Sequence, residues 1–461
     1  MDDSDKTRNL EIGKVENQDK TDDNLDIKLK WRKPFEFSAY CLLITLGLGN
    51  AWRFPYEAFK HGGGTFLISY VLVACIFGQP FYYLEIILGQ FLSKSNVGTF
   101  KALAPGFAGI SGCQAIACAI ISSYYSAITA FSLFYLFRSY LYVLPWSICQ
   151  KEWANSCVTF EDIKNKSLGN YILSEELFLF KKVLNLKYPD DLNEGIGAPN
   201  IEMIMYSFSI WLVIFLLLSR GIKTIFTLLY CMLCIPFFII LALVVRVTHF
   251  DGADIGISYL FRIDWANILS PKVLHAAVMQ CCFSLTQGVG VVTTYASLNE
   301  YNYPAKAISI VVVLTDMIVS ITFGIMNFSV MGTVAWNLNV SMGEIPKFNA
   351  ESMFIYYLEA FDSIKCGSRL YSVLLFFIIF VISLGSLQGL QMLVVTQLRC
   401  FFPKWKYWHL AMISTGISFG LSVLYFTPGG AYLIKLVNTF GCDMVLGTLV
   451  IIILVAICYN Y

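Results

Sequence analysis

Long apolar runs separated by short polar stretches extend from Phe35 almost to the end of the chain. A helix needs about 20 apolar residues to cross the hydrocarbon core of a bilayer, and the chain contains about ten such runs. We therefore predict an all-α polytopic membrane protein. The spans are expected near residues 35–57, 65–91, 111–145, 201–219, 222–248, 271–296, 305–334, 370–400, 405–426 and 429–458.

The composition supports this class. Hydrophobic residues occupy 57% of the 461 positions and charged residues only 14%, whereas soluble domains carry about 25% charged residues. The formal net charge of +1 is almost balanced. It therefore gives no indication of a nucleic-acid or acidic partner.

The chain divides into a polar tail and a membrane core. Residues 1–30 have no apolar run, so we expect a disordered cytoplasmic tail rather than a signal peptide. Residues 31–461 form the core, with large extracellular loops at 145–200 and 335–369. Basic residues concentrate in the loops of one side, which places the N-terminus in the cytoplasm of a multi-pass plasma-membrane protein. These residues are Lys28, Lys30, Arg32, Lys33, Lys94, Lys101, Arg220, Lys223, Arg399, Lys404 and Lys406.

Two spans are interrupted by polar, glycine-rich stretches: the first by Gly47-Leu48-Gly49-Asn50 and the sixth by residues 284–290. Close helix packing is the ordinary reason for glycines in membrane helices. Matched interruptions favour instead two inverted five-helix repeats with discontinuous first and sixth helices and a binding site at the midplane. There a half-helix offers N–H groups to a carboxylate, and freed carbonyls suit a small cation such as Na⁺.

The exterior loops contain candidate modification sites. Cys149 and Cys157 lie in the loop after the third span, where an oxidising exterior favours a disulfide between them. Asn165 and Asn339 each begin an N-glycosylation acceptor pattern on the same side. A third pattern begins at Asn327, but it falls within a span and should be unmodified.

Several motifs in the chain are those of one known family. They are Gly47-Leu48-Gly49-Asn50, Trp52-Arg53-Phe54-Pro55, Gly62-Gly63-Gly64, Glu85 with Gly89-Gln90, and Phe283-Ser284-Leu285. Through them, from about Trp31 to the C-terminus, the chain resembles the neurotransmitter:sodium symporter family. This resemblance implies a leucine-transporter-type fold without the last two helices usual in relatives. Within the family the chain is most similar to the insect sodium-dependent nutrient amino acid transporters. The motifs of that subfamily are Leu144-Pro145-Trp146-Ser147, Trp405-Lys406-Tyr407-Trp408 and Thr427-Pro428-Gly429-Gly430.

The resemblance implies a substrate pocket at the two interruptions. Monoamine-transporting members have an Asp at the position of Gly47, and glycine would leave room for the carboxylate of an amino acid. Tyr125 matches the tyrosine whose hydroxyl contacts that carboxylate, although an interior aromatic with a satisfied hydroxyl is the alternative. Val289 replaces a common phenylalanine, which implies a roomier pocket. The implied substrate-binding residues are Thr45, Gly47, Gly49, Ile121, Tyr125, Phe283, Thr286, Val289, Ser383 and Leu390.

The resemblance also implies ion sites. Asp316 stands where relatives usually have asparagine, and a fixed carboxylate can supply the negative charge that chloride otherwise brings. We therefore predict weak chloride dependence; a protonated carboxyl without an ion role is the alternative. Gly385 lacks the side-chain ligand of relatives, so the second sodium site is expected to be weak or altered. The implied ligands of the first sodium site are the Thr45 carbonyl, Asn50, Ser284 and Asp316. Those of the second sodium site are the carbonyls of Leu43, Leu46 and Ile382 and the hydroxyl of Ser386. The implied chloride ligands are Tyr70, Gln280, Ser284 and Ser320.

The gate positions of the family are altered in this chain. The outer arginine–acid pair corresponds to Arg53 and Asn438, so its acid is missing. Asp443 follows closely and is the alternative acid for this pair, although its phase on an α-helix differs from that of Asn438. We expect both gates to have lost charges. The inner network corresponds to Lys28, Leu298 and Cys400.

The leading functional interpretation is a sodium-coupled symporter of neutral amino acids that works by alternating access. Its partners would be a small-molecule amino acid, co-transported Na⁺ and the lipid bilayer, without nucleic acid. Two alternatives remain: an amino acid sensor that binds but transports weakly or not at all, and an uncoupled cation leak. An enzyme is not indicated, because no nucleophile with a base partner or metal cluster is visible. The sequence leaves the preferred amino acid and the oligomeric state open.

Overall fold

The computed structural model describes residues 31, 33–154, 156–159, 172–186, 196–219, 222–345, 352–363 and 367–460. In this part of the chain, eight continuous helical segments are long and apolar enough to cross a membrane. They correspond to all the predicted spans except the first and the sixth, which are broken. The prediction of an all-α polytopic membrane protein is confirmed.

The first span consists of three pieces. The helix Pro34–Thr45 ends where the glycines begin, the π-helical turn Gly49–Arg53 follows, and the helix Phe54–Lys60 completes the span. A helix that ends at membrane depth leaves its last carbonyls and the first N–H groups of the next piece without helical partners. Both sets of groups face the interior, because residues 47–54 are buried.

The sixth span is broken in the same way. Its helices Pro271–Ser284 and Val291–Ala296 are separated by six residues. Thr286, Gly288 and Gly290 in and beside this break have positive φ angles of 51°, 80° and 79°. Glycine adopts this region freely, whereas it is uncommon for a β-branched residue such as Thr286. The break is therefore a defined backbone conformation.

The remaining spans are close to their predicted positions. The third helix ends at Arg138 rather than near residue 145, because the apolar residues that follow are exposed and lead into Pro145, which disfavours helix before it. The bounds are Gly64–Val73, Ala74–Gly78 (π) and Gln79–Leu92 for the second span, Ile110–Arg138 for the third, Ile201–Ser219 for the fourth, Ile222–Val247 for the fifth, Ala305–Leu338 for the seventh, Ser368–Phe401 for the eighth, Tyr407–Val423 for the ninth, and Gly430–Leu436, Val437–Met444 (π) and Val445–Asn460 for the tenth.

Short helices and one small sheet occupy the loops. The helices Ser174–Leu177 and Ser352–Asp362 pack together on one side of the membrane, which we call the loop side. The strands Cys157–Val158 and Ile172–Leu173 pair in parallel nearby. The predicted disulfide between Cys149 and Cys157 is confirmed. The other loop helices are Asn96–Leu103, Phe178–Val183 (π) and Ala253–Leu260, with 3₁₀ turns at Pro105–Phe107, Met342–Glu344 and Leu424–Phe426.

The third and eighth spans form the centre of the bundle and pack along each other. In the third span 83% of the most apolar 18-residue stretch is buried inside the protein, whereas in the corresponding stretch of the fifth span only 17% is buried. The third span is therefore an interior helix, and the fifth presents its apolar side chains outward to the bilayer. The two broken spans lie beside this centre, so their interruptions meet inside the protein.

Candidate substrate and ion site

A small cavity lies between the two interruptions. Its volume of about 20 Å³ is close to the space that a single water molecule needs. All the predicted substrate-binding residues line it except Gly47 and Ser383. Sequence reasoning missed two lining side chains, Ile44 and Leu446. The lining residues are Ile44, Thr45, Gly49, Ile121, Tyr125, Phe283, Ser284, Thr286, Val289, Ser386, Leu390 and Leu446, and no charged residue is among those that the structure describes.

Gly47 faces two hydroxyl groups rather than the cavity. The Tyr125 hydroxyl accepts a hydrogen bond from the N–H of Leu48 at 2.8 Å. A Cβ atom on residue 47 would lie 2.5 Å from the Tyr125 oxygen and would also collide with the Ser386 hydroxyl. The space beside Gly47 is thus lined by two hydroxyls, and the expectation that glycine leaves room for a substrate carboxylate stays a prediction. Gly47 allows the third and eighth spans to bring their hydroxyls against the broken backbone.

Ser383 lies apart from the cavity. Its hydroxyl donates to the carbonyl of Ile379 at 2.6 Å, one turn earlier in the eighth span. The side chain is fully buried, and this bond satisfies it within its own helix. The eighth span instead contacts the break of the first span through the hydroxyl of Ser386.

Asp316 is the centre of a buried polar cluster. One carboxylate oxygen accepts from the Asn50 amide at 2.7 Å and from the Ser284 hydroxyl at 2.7 Å. The side-chain amide oxygen of Asn50 in turn accepts a hydrogen bond from the backbone N–H of Gly47 at 3.0 Å. The structure therefore joins the first, sixth and seventh spans at three of the four residues predicted for the first sodium site, Asn50, Ser284 and Asp316. An oxygen-rich cluster of this kind is suited to a hard monovalent cation.

Three of the four predicted chloride residues belong to the same cluster. Tyr70 donates to the other carboxylate oxygen of Asp316 at 2.9 Å, and its hydroxyl lies 3.5 Å from Ser320. Ser284 is the third. The fourth, Gln280, donates to the carbonyl of Gly49 at 2.8 Å. Two of the donors predicted for an anion, Tyr70 and Ser284, are thus directed to a carboxylate that belongs to the protein.

The predicted second sodium site is a meeting point of the first and eighth spans. The Ser386 hydroxyl lies 3.2 Å from the Ile44 carbonyl oxygen and 3.4 Å from that of Ile382. A Cβ atom on Gly385 would lie 2.7 Å from a Leu43 methyl and 3.3 Å from the Leu43 carbonyl oxygen. Glycine at 385 therefore allows close contact of the two helices. The carbonyl that Ser386 contacts in the first span is that of Ile44, which was not predicted.

Polar side chains of the second and third spans hold the break in the sixth span, and a glutamine of the break itself bonds to the second span. A Glu85 carboxylate oxygen accepts from the N–H of Gly288 at 3.1 Å, and the Gln114 amide donates to the Gly288 carbonyl at 2.7 Å. The Gln287 amide donates to the carbonyl of Gly78 at 2.6 Å. These bonds replace the helical hydrogen bonds that a buried backbone requires. Sequence reasoning noted Glu85 as a motif residue and missed both glutamines.

Arg53 forms an ion pair with Asp443 above the cavity. Its guanidinium also lies 4.8 Å from the centre of the Phe283 ring. Asn438, the predicted gate position, lies instead near the Tyr124 hydroxyl, at 3.4 Å. The outer pair therefore keeps its two charges, and the expectation that it had lost its acid is wrong.

A π-helical segment explains why Asp443 can replace an acid at position 438. The tenth span is π-helical over Val437–Met444. In a π-helix the hydrogen bonds join residues five apart, so positions 438 and 443 share a face. On an α-helix they would be separated by about 140°. The sequence shows no proline or other local signal that predicts this segment.

A large vestibule lies on the loop side of the ion pair. It has a volume of about 910 Å³ and reaches from Arg53 and Asp443 to Glu176 and Glu359 in the two packed loop helices. The inner cavity lies beneath the ion pair and Phe283. The structure thus has an open approach on one side and a constriction above the cavity.

The other predicted sites have mixed outcomes. Asn339 is exposed at the end of the seventh span, where its glycosylation stays a prediction. Asn327 is buried within that span and donates to the Phe323 carbonyl at 2.8 Å, and the absence of its glycosylation stays a prediction. Asn165 and Lys28 lie outside the described residues.

The fold and the two facing breaks define a multi-pass membrane protein with a polar site at mid-membrane. The family model of the sodium:neurotransmitter symporter family matches residues 28–461. The chain belongs to this family.

Individual relatives agree with this assignment. The chain is 35% identical over 452 residues to "Sodium-dependent nutrient amino acid transporter 1" of Drosophila pseudoobscura pseudoobscura, which covers 94% of this chain and 69% of the relative. It is 33% identical over 458 residues to the protein of the same name in Drosophila melanogaster, with 94% and 71% covered.

A solved structure supports the fold. The crystal structure of MhsT in complex with L-phenylalanine matches with a TM-score of 0.73 and 21% identity, over 92% of this chain and 89% of that one. The predicted leucine-transporter-type fold is confirmed.

Proposed function

We propose that the protein is a sodium-coupled symporter that carries neutral amino acids across the plasma membrane by alternating access. The observation that carries this proposal is the placement of an uncharged cavity directly beside the Asn50–Ser284–Asp316 cluster. The cavity would hold the substrate, and the cluster would hold the cation. Because the two are contiguous, binding of one would favour binding of the other.

The proposed substrate follows from the polarity of the cavity. The Tyr125 hydroxyl, which accepts from the N–H of Leu48 at the start of a half-helix, would donate its own proton to a substrate carboxylate. The described walls hold no acid to pair with a charged amine on a side chain and no base to pair with an acidic one. A neutral amino acid fits these conditions. The name of the insect relatives, sodium-dependent nutrient amino acid transporters, supports this class.

The proposed coupling ion is Na⁺, with weak dependence on chloride. The carboxylate of Asp316 already accepts hydrogen bonds from the hydroxyls of Tyr70 and Ser284. A chloride ion there would face a fixed negative charge with little water to screen it. Each unit charge that enters with the substrate supplies about 2.3 kcal/mol per 100 mV of membrane potential, which can drive uptake against a gradient.

The alternative of a sensor that does not transport rested in part on the missing outer acid. The ion pair of Arg53 and Asp443 supplies that acid. A charge pair that forms in one conformation and breaks in the other is suited to a protein that alternates between two conformations. The vestibule would then open to the extracellular side, and the N-terminus would be cytoplasmic.

Uptake and current measurements test the proposal. Cells that express the chain should accumulate neutral amino acids and show a substrate-dependent inward current that requires Na⁺, with K⁺, choline and gluconate as replacement ions. Asn50→Ala should abolish both signals. Asn327→Ala is the matched control, because Asn327 is equally buried but bonds within its own helix. Surface-expressed protein without any substrate-dependent flux would contradict the proposal.

A further inference from the structure

The tenth span contributes one side chain, Leu446, to the inner cavity. The other walls come from the first, third, sixth and eighth spans. Leu446 is only 2% exposed and lies two residues beyond the end of the π-helical segment at Met444. It is a leucine at the boundary of a cavity that has almost no free space.

The backbone of Leu446 is fixed by the sixth span on two sides. A Cβ atom on Gly288 would lie 2.7 Å from a Val450 methyl and 3.6 Å from the Leu446 carbonyl oxygen. A Cβ atom on Gly447 would lie 2.9 Å from the terminal methyl of Met279. The tenth span is therefore closely packed against the broken sixth span at this point. With the backbone held close to the cavity, the size of the side chain at 446 sets the position of this wall.

The same segment of the tenth span carries the outer ion pair. Asp443 and Leu446 are three residues apart, so they project from a similar face, about 4.5 Å apart along the axis. Asp443 contacts Arg53 above the cavity, and Leu446 reaches the cavity one turn deeper. The position of the tenth span therefore places both the carboxylate of Asp443 in the outer ion pair and the side chain of Leu446 in the cavity wall.

We propose that Leu446 is a specificity-determining residue whose side-chain volume limits the size of the amino acid that the cavity accepts. This inference rests on the proposed function. In a tightly packed apolar pocket one methylene changes discrimination about 10- to 200-fold, because the pocket cannot rearrange without cost. Shortening Leu446 should therefore admit larger side chains, and lengthening it should exclude them.

The experiment measures kcat/KM for glycine, alanine, leucine, phenylalanine and tryptophan in cells that express the full chain, with surface protein quantified. Leu446→Ala and the milder Leu446→Val should raise the ratio of phenylalanine to alanine uptake, by about tenfold for Leu446→Ala. Leu446→Phe should lower the same ratio while glycine uptake persists. Leu449→Ala is the matched control, since Leu449 is also buried in this helix at 4% exposure but does not line the cavity.

Two failures are distinguishable. Wild-type protein that reaches the surface without any amino acid uptake overturns the proposed function, and the role of Leu446 with it. Wild-type uptake with an unchanged phenylalanine-to-alanine ratio in both shortened variants overturns the role of Leu446 alone. A change of equal size in Leu449→Ala also overturns it, because the effect would then come from general loosening of the helix.

Discussion

The guanidinium of Arg53 pairs with the carboxylate of Asp443, five positions beyond the residue at which the family pattern places the acid. Arg53 is 4% exposed, and its cation also lies over the ring of Phe283. The pair lines the vestibule, and Phe283 beside it lines the cavity. The π-helical segment of the tenth span makes this geometry available.

Asp443→Asn should reduce uptake about tenfold or more while binding is retained. The change leaves a buried guanidinium without its acid; breaking a buried pair costs about 3–5 kcal/mol, and the partial exposure of Asp443 favours the lower end. Radiolabelled uptake and substrate binding on the same preparation separate the two effects. The double variant Asn438→Asp with Asp443→Asn should not recover uptake, and full recovery would show that the pair does not depend on position 443.

Asp316→Asn should make uptake depend on chloride. Without the carboxylate, the donors of Tyr70 and Ser284 become available to an anion, and the repulsion that excludes chloride disappears. Uptake by the wild type should change little when gluconate replaces chloride, whereas uptake by the variant should fall several-fold. Wild-type uptake that stops in gluconate would refute the proposed role of Asp316.

Gly47→Ala should abolish uptake without removing the protein from the cell surface. The added methyl would collide with the hydroxyls of Tyr125 and Ser386 that hold the broken first span. Gly112→Ala is the control, because a Cβ atom at Gly112 meets no atom within 4 Å. Surface biotinylation and uptake should show normal expression of both variants and activity of the control alone. Activity close to wild type in Gly47→Ala would mean that this contact is not required.

The thermal stability of the loop side should fall as the pH rises. Burial, and then the nearby carboxylate of Asp362, raise the pKa of Glu175 to about 8, and burial raises the pKa of Glu359 well above its usual range. The folded state thus holds protons that the unfolded chain releases at about pH 4.3. The stabilisation is complete below that pH and is lost as the pH rises through about 8.

Purified protein should therefore melt several degrees lower at about pH 9 than at about pH 6, and Glu175→Gln should reduce this difference, because glutamine cannot ionise. Glu300→Gln, at an exposed position, is the control and should retain the wild-type difference. A difference of the same size in Glu175→Gln and wild type would show that Glu175 does not titrate in this range.

The spans could be predicted because the bilayer imposes one simple requirement on sequence. About 20 consecutive apolar residues are needed to cross it, and the eight continuous spans of the described residues all lie near such runs. The breaks in the first and sixth spans could also be predicted, since glycines and polar residues at membrane depth are costly unless they line a site. Most cavity residues followed from the family motifs.

Three features depended on long-range packing. Gly47 faces hydroxyls of the third and eighth spans rather than free space. Leu446 enters the cavity from the tenth span. Gln114 holds the broken sixth span from the third. Each relationship joins residues far apart in the chain, and no local pattern records which side chain faces which.

The sequence by itself determined the membrane class, the number and position of the spans, the two interruptions and the family, because hydrophobicity and backbone breaks are local properties of the chain. The tertiary structure alone decided which acid pairs with Arg53. The pairing depends on which residues of the tenth span face Arg53. Because the hydrogen bonding over Val437–Met444 is π-helical rather than α-helical, Asp443 lies on that face, where an α-helix would place other residues.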